Sequence, residues 1–169
     1  MPRSRTTPFP LDDLDRKILS ALQEDASLSL EAISRKVGAS KTPIWNRIHK
    51  MTEAGVIEKR TVLLNPEALG LGTCFFVLVR TADHSADWQA RFLRAVRARP
   101  EVLEAHRLAG DIDYLLKVRV SDAHAYDDFY QALIAQVRVH EVTALLSMEE
   151  IKAHAPLPLH DRAQPETRS

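Results

Sequence analysis

Apolar residues in the first third of the chain recur at i, i+3, i+4 and i+7, the spacing of one buried helix face. The pattern predicts three consecutive helices. Asp12 and Ser29 are the expected N-caps of the first two, which end near Asp25 and at Gly38, and the third ends at Gly55. The predicted buried stripes are Leu14, Ile18 and Leu22; Ala32, Ile33 and Val37; and Ile44, Ile48 and Met51.

The third predicted helix follows the second after a short connection, Ala39 to Lys41. Thr42 is its expected N-cap and Pro43 its first helical residue, a position that tolerates the missing N–H of proline; Ser40 is the competing cap. Val56 to Leu64 then mixes β-branched and apolar residues with charged ones, which predicts a strand or short hairpin. This third of the chain is therefore predicted to form three helices and a wing.

The pattern changes at Asn65-Pro66, a turn-favouring pair at which we place a domain boundary. Beyond it, periodicity alternates in the order strand, helix, strand, strand, helix, strand. The predicted elements are Thr73–Thr81, Ser85–Ala98, Val102–Ala109, Tyr114–Val120, a helix capped by Asp122, and Val139–Met148. This order is typical of the ferredoxin-like unit, whose four-stranded antiparallel sheet carries both helices on one face. The predicted fold class is α+β, a winged helix-turn-helix followed by a ferredoxin-like domain.

Proline and polar residues dominate both ends of the chain, which predicts flexible termini. Four regions are expected: a flexible arm, 1–10; a winged helix-turn-helix domain with a linker strand, 11–64; a ferredoxin-like domain, 65–155; and a flexible tail, 156–169.

The predicted strands are apolar on both faces, whereas a sheet with one wet face alternates apolar and polar residues. Cys74 to Val79 is apolar at every position, and similar runs begin at Tyr114 and Ala144. Exposing such a face forgoes about 25 cal/mol per Å² of burial. A partner sheet is the simplest cover and predicts a homodimer; the alternative is that Ile151 to Leu159 folds back over the sheet.

Composition favours a soluble, cytoplasmic, non-enzymatic protein. The chain is 45% hydrophobic and 27% charged, and it lacks both a bilayer-length apolar run and a signal-peptide core. Cys74 is the only cysteine, which excludes an internal disulfide and a thiolate metal cage. Seven scattered histidines show no metal-ligand spacing, and no catalytic glycine motif occurs, so we expect no cofactor, no metal and no catalysis.

The face of the third helix opposite its buried stripe is polar and cationic, although the net charge of the whole chain is zero. An α-helix fits the major groove, where Asn can pair with adenine and Lys or Arg with guanine, while residues at the helix start and in the wing reach phosphates. The candidate contacts to double-stranded DNA are Ser40, Lys41, Thr42, Trp45, Asn46, Arg47, His49, Lys50, Lys59 and Arg60. A solvated helix face is the alternative; Arg47 can instead pair with an aspartate of the first helix, and Trp45 can be partly core.

Several motifs resemble the leucine-responsive regulator/asparagine regulator (Lrp/AsnC) family of transcription regulators. They are Leu11-Asp12-x-x-Asp15-x-x-Ile18-Leu19, Ile44-x-x-Arg47-Ile48-x-Lys50-Met51-x-x-x-Gly55-Val56-Ile57, Ala109-Gly110-Asp111-Ile112-Asp113-Tyr114-Leu115-Leu116 and Met148-Glu149-Glu150-Ile151-Lys152. The resemblance implies the same fold, dimers that commonly build octamers, and DNA binding through paired winged helices. Asn46 and Thr52 depart from the family pattern, where these positions are often basic and acidic, so operator sequence cannot be inferred from relatives.

The resemblance also implies a small effector, usually an amino acid, held at the loop after the second strand of the second domain. Carried over, it points to Leu108, Gly110, Asp111 and Asp113, with Ala123 and Thr143 as weaker candidates. Backbone N–H groups beside a glycine can bind a carboxylate, and an aspartate can hold an ammonium group. An ordinary tight turn is the alternative for this loop. For the whole chain, the alternative function is an amino-acid-binding assembly module without DNA activity.

Overall fold

The structure, a computed structural model, describes residues 8–159, which divide into two compact units. The first comprises 8–63 together with 152–159, and the second comprises 64–151. The predictions of flexibility for 1–7 and 160–169 lie outside the described residues. Within 8–159, no helix is long and apolar enough to cross a membrane.

The first unit contains helices α1 (Asp13–Glu24), α2 (Leu30–Val37) and α3 (Lys41–Glu53). The predicted caps of the first two are confirmed. Asp12 accepts the backbone N–H of Asp15 at 2.8 Å, Ser29 accepts that of Ala32 at 3.2 Å, and Gly38 ends α2 in the left-handed conformation. The helices enclose a core that includes Ile18, Ile33, Ile44, Ile48 and Met51.

The start of α3 differs from the prediction. Lys41 is the first helical residue and Ser40 the N-cap, so the assignment of Thr42 as cap was wrong. Pro43 lies in the first turn rather than at the first position. The first four N–H groups of a helix have no partner within it, so proline fits at any of these positions and does not fix the helix start by itself.

The predicted wing strand is also absent from the structure: among residues 8–159, no strand pairing includes 56–64. Backbone N–H groups of Val56 and Ile57 instead donate to the carbonyl of Met51, which closes the end of α3. Val62, Leu63 and Leu64 lie exposed. The segment has the composition of a strand, but the described chain supplies no partner edge for it.

The second unit confirms the ferredoxin-like order: β1 (Thr73–Arg80), α4 (Ala86–Arg97), β2 (Val102–Arg107), β3 (Tyr114–Val120), α5 (Ala123–Ile134) and β4 (Glu141–Leu146). The spatial order is β2-β3-β1-β4, and all three pairings are antiparallel. Helices α4 and α5 pack on one face of this sheet, with Phe92, Phe129 and Leu133 fully buried against Val77 and Leu116.

The other face, which we call the open sheet face, is apolar at its centre. The pairing register aligns Phe76 with Lys117 and Leu145, and Leu78 with Leu115 and Thr143, so these side chains share that face. Leu145 is 50% exposed. The predicted apolar runs from Cys74, Tyr114 and Ala144 therefore place apolar side chains on both faces of the sheet, and Lys117 and Thr143 share the open sheet face with them.

The segment 152–159, which we call the strap, belongs to the first unit rather than to the second domain that was predicted to extend to residue 155. The side chain of Gln23 bonds both backbone groups of Leu157: its Nε2 donates to the carbonyl at 3.2 Å, and its Oε1 accepts the N–H at 2.7 Å. Leu159 packs against the helical core. These contacts belong to the helical unit, so the alternative in which this segment covers the sheet is not what the structure shows.

Candidate nucleic-acid interface and ligand loop

The surface of α3 opposite its buried stripe carries Thr42, Trp45, Asn46, His49 and Lys50, all exposed; we call this set the α3 face. Ile44, Ile48 and Met51 on the other side of the helix are buried. Because the buried stripe fixes the rotation of the helix, the polar side chains are held outward together. An outward helix face with amide, hydroxyl and ammonium groups and no carboxylate before Glu53 can hydrogen-bond base edges and phosphates.

Two aromatic rings of the α3 face are stacked one helical turn apart. The ring centroids of Trp45 and His49 are 5.3 Å apart with an interplanar angle of 7°, and His49 Nε2 lies 3.2 Å from Glu53 Oε1. Trp45 is 54% exposed, so it lies on the surface rather than in the core. Its ring and Arg60 line a cleft of about 320 Å³ beside the helix.

Arg47 lies on the flank of α3, where it binds the start of α1. Its Nη1 is 2.6 Å from Asp12 Oδ2 and 2.8 Å from Asp15 Oδ1. The hydrogen bonds that Arg47 donates to Asp12 and then to Asp15 raise the pKa of Arg47, and the pKa of Asp12 is lowered, first by the backbone N–H of Asp15 and then by Arg47. Of the two roles left open by the sequence, the intramolecular ion pair is the one that the structure shows.

The other cationic residues predicted to contact DNA differ in the intramolecular contacts that they make. Lys41 Nζ lies 2.5 Å from Glu31 Oε1, and this contact lowers the pKa of Glu31 to about 2. Lys50 Nζ lies 5.5 Å from the ring centroid of Phe9. Phe9, which the sequence assigned to a flexible arm, packs against the helical core. Ser40, Lys59 and Arg60 are exposed.

The loop between β2 and β3 is a closed turn. The Leu108 N–H donates to the carbonyl of Asp113 at 2.8 Å, and Gly110 has a φ of +139°, which side chains rarely tolerate. The Asp113 carboxylate accepts the backbone N–H of Thr81 at 2.8 Å, so it ties this loop to the end of β1. Asp111 is exposed and has no hydrogen-bonded partner among residues 8–159.

The six candidate effector residues occupy three separate places in the second unit. Leu108, Gly110, Asp111 and Asp113 lie at the start of β3, whereas Ala123 begins α5 beyond the end of that strand, roughly 20 Å away along it. Thr143 lies on the open sheet face opposite Leu78. One chain therefore does not gather them into a single site.

Comparisons with known proteins agree with both halves of this description. The model of the AsnC-type helix-turn-helix domain matches residues 11–52, and the model of the Lrp/AsnC ligand binding domain matches residues 74–157. The first match covers α1, α2 and α3 up to residue 52, and the second covers the four-stranded sheet from residue 74 onward.

Individual proteins align over most of the chain. A glutamate uptake regulatory protein of Zymomonas mobilis is 47% identical, with 88% of this chain and 91% of that protein covered. The crystal structure of an AsnC family transcriptional regulator from Agrobacterium tumefaciens is 48% identical, covers 88% of this chain and 97% of its own, and has a TM-score of 0.85. A transcriptional regulator of Neisseria meningitidis, solved in complex with L-Met, is 33% identical, with 89% and 97% covered and a TM-score of 0.84.

Proposed function

The chain belongs to the Lrp/AsnC family and is a DNA-binding transcription regulator, and we propose that it contacts its operator with the α3 face. The observation that carries this proposal is the outward set of Thr42, Trp45, Asn46, His49 and Lys50 above a fully packed core stripe. Asn46 and Lys50 have the groups that recognise base edges, while Lys41, Lys59 and Arg60 supply phosphate contacts. Arg47 positions α3 and does not contact DNA. Because this role needs access to the chromosome, we infer a cytoplasmic location.

Fluorescence anisotropy with a DNA fragment from the gene's own upstream region tests this assignment. Asn46→Ala should weaken the free energy of binding to the specific site by about 1–3 kcal/mol and change that for unrelated DNA little. Lys59→Ala should weaken binding to all sequences similarly and reduce the salt slope by about 1. Arg94→Ala, which removes an equal charge from the exposed side of α4, is the control and should change neither. If Asn46→Ala lowered the affinity for specific and unrelated DNA equally, the α3 face would not be the surface that recognises bases.

We further propose that the second unit binds an amino acid and that this binding alters DNA affinity or assembly. Support comes from the match to the ligand binding domain and from the β2–β3 loop, where Gly110 leaves backbone groups accessible. Asp111 is the better candidate for the ammonium group, because one oxygen of Asp113 already accepts the Thr81 N–H. Asp113 then keeps the loop in place.

A thermal-shift screen with the twenty amino acids, followed by DNA binding with each hit, tests the loop. Asp111→Asn should abolish the shift caused by the hit and leave the melting temperature of the free protein unchanged. Asp113→Asn should lower the melting temperature of the free protein, because it weakens the bond to Thr81. A ligand response that survives Asp111→Asn unchanged would overturn the role of that carboxylate.

We also propose that the chain forms a homodimer through the open sheet face, and that dimers assemble further, up to an octamer. The dimer contact is favoured because it buries Phe76, Leu78, Leu115 and Leu145 between two copies. Further assembly offers a way for the β2–β3 loop of one copy to meet Ala123 or Thr143 of another, which a single chain does not achieve.

A further inference from the structure

The connection between α5 and β4 is fixed at two points beside α4. The indole Nε1 of Trp88, a residue only 2% exposed, donates to the carbonyl of Arg138 at 2.5 Å. The backbone N–H of His140 donates to the carbonyl of Arg80 at 3.0 Å. The backbone that carries Arg138 and His140 is therefore held in place by α4 on one side and by β1 on the other.

Between this connection and the first half of α4 lies a cleft of about 470 Å³, within the size range of small-molecule sites. Its lining combines apolar and charged groups: Trp88, Val139, Arg91, Arg138, His140 and Asp83. Trp88 is fixed by packing against Phe92, with ring centroids 5.1 Å apart. The cleft shares no residue with the β2–β3 loop.

The arginines of this cleft differ from others on the chain. Arg47 and Arg80 form ion pairs at 2.6 to 3.0 Å, whereas the Arg91 and Arg138 side chains have no hydrogen-bonded or ion-paired partner among residues 8–159. Two unpaired guanidinium groups lining one cleft attract carboxylates, which arginine binds through two parallel hydrogen bonds.

Asp83 supplies the only carboxylate of the lining. Its Oδ1 accepts the backbone N–H of Ser85 at 2.8 Å. Hydrogen bonds from the Ser85 hydroxyl and then from its backbone lower the pKa of Asp83, and Arg91 adds to the effect, so this carboxylate is charged at neutral pH.

We propose that this cleft is a second ligand site, one that binds an acidic amino acid, with Arg91 and Arg138 taking its two carboxylates and Asp83 its ammonium group. The charges match one for one: two cations and one anion on the protein face two anions and one cation on the ligand. A neutral amino acid leaves one arginine unpaired. A phosphate or a simple dicarboxylate leaves Asp83 facing negative charge. The proposed ligand contacts use no residue of the α3 face or of the β2–β3 loop.

Isothermal titration calorimetry on the full chain tests the site, with L-glutamate and L-aspartate as probes and L-methionine, succinate and inorganic phosphate as comparators. One of the two acidic amino acids should bind more tightly than every comparator. Arg91→Gln and Arg138→Gln should each raise its Kd about tenfold or more, since each removes a charge-assisted contact. Arg138→Lys, which keeps the charge but loses the paired hydrogen bonds, should lie between. Arg97→Gln removes an equal charge from the end of α4, outside the cleft, and should have no effect.

Three results would overturn the proposal. The first is the absence of measurable binding for both acidic amino acids. The second is succinate or phosphate binding as tightly as the better amino acid, which would remove the role of Asp83. The third is a loss of binding in Asp111→Asn as large as in Arg138→Gln, which would place the ligand at the β2–β3 loop. Equal melting temperatures of the variants ensure that the comparison concerns binding; the exposed positions of Arg91 and Arg138 favour this.

Discussion

At the scale of the residue, the guanidinium of Arg47 joins the start of α1 to the middle of α3. Its partner Asp15 has a side chain only 10% exposed, so water competes less for this contact than for a surface ion pair. Asp15 also accepts the backbone N–H of Asp12 at 3.2 Å and so completes the capping box of α1. One carboxylate thus stabilises both a helix start and the placement of the α3 face.

Replacing Asp15 therefore has a larger effect than replacing its neighbour Asp13. Asp15→Ala should lower the free energy of unfolding of the first unit by about 1–2 kcal/mol, because it breaks the capping box and leaves Arg47 with Asp12 alone. Asp13→Ala removes an equal charge from the same turn, but that side chain is 85% exposed and reaches only Arg16, so it should cost less than about 0.5 kcal/mol. Urea unfolding at neutral pH measures both. Equal losses would mean that the Arg47 contact does not hold α1 to α3.

Residue roles were harder to predict from the sequence than residue positions. The periodicity of α3 correctly predicted that Ile44 and Ile48 are buried. It left two roles open for Arg47, because periodicity does not show which side chain of α1 lies opposite. Asp113 raises the same difficulty. Its partner is the backbone of Thr81, 32 residues away, and only the pairing of β1 with β3 brings the two together.

At the scale of the element, the starts of α2 and α3 are both serine caps, but only one cap is bonded. Ser29 accepts the Ala32 N–H at 3.2 Å, whereas Ser40 makes no side-chain cap hydrogen bond. Pro43 explains part of the difference. It is the third residue of α3, and its nitrogen carries no hydrogen to donate to a cap.

The two serines should therefore respond differently to the same substitution. Ser29→Ala should destabilise the first unit by about 1 kcal/mol, because an N–H at the start of α2 loses its partner. Ser40→Ala should cost no more than a few tenths of a kcal/mol. Thermal or urea unfolding of the two variants beside the parent protein measures the difference. A Ser40→Ala loss as large as that of Ser29→Ala would show that the Ser40 hydroxyl caps α3 in solution.

The segment after α3 shows why an element can be mispredicted from a sound pattern. Val56 to Leu64 has the β-branched and apolar residues of a strand, but a strand exists only when another edge pairs with it. The three helices and the caps of α1 and α2 were predicted well because their hydrogen bonds join residues close in sequence. The edge needed by this segment is not encoded locally, and residues 8–159 of one chain do not provide it.

At the scale of the whole molecule, the open sheet face is the feature that most clearly calls for a second copy. This face could be predicted from the sequence, because a strand that is apolar at every position places apolar side chains on both faces of the sheet. Leu145 lies on this face at 50% exposure and is not part of the core of the second unit. A charge at this position therefore tests assembly without disturbing the fold of a single chain.

Leu145→Glu should shift the protein from dimer to monomer, because it places a charge in the apolar contact between two copies. Gln131→Glu, at an exposed position of α5 on the helical side, is the matched control and should leave the dimer intact. Sedimentation at micromolar concentration distinguishes the two states. If Leu145→Glu remained a dimer, or if the parent protein were already monomeric, the open sheet face would not be the dimer interface.

Because of the strap, the helical unit is synthesised in two separate stretches. Residues 64–151 are inserted between two parts of the helical unit, and Leu159, the last packed residue within 8–159, is made 96 residues after Leu63. At about 5–20 residues per second, a ribosome needs roughly 5 to 20 s to cover that distance. The helical unit is thus completed after the second unit. A polypeptide released early lacks Leu157 to bond Gln23, so only chains that have already produced the entire ligand domain carry a finished DNA-binding unit.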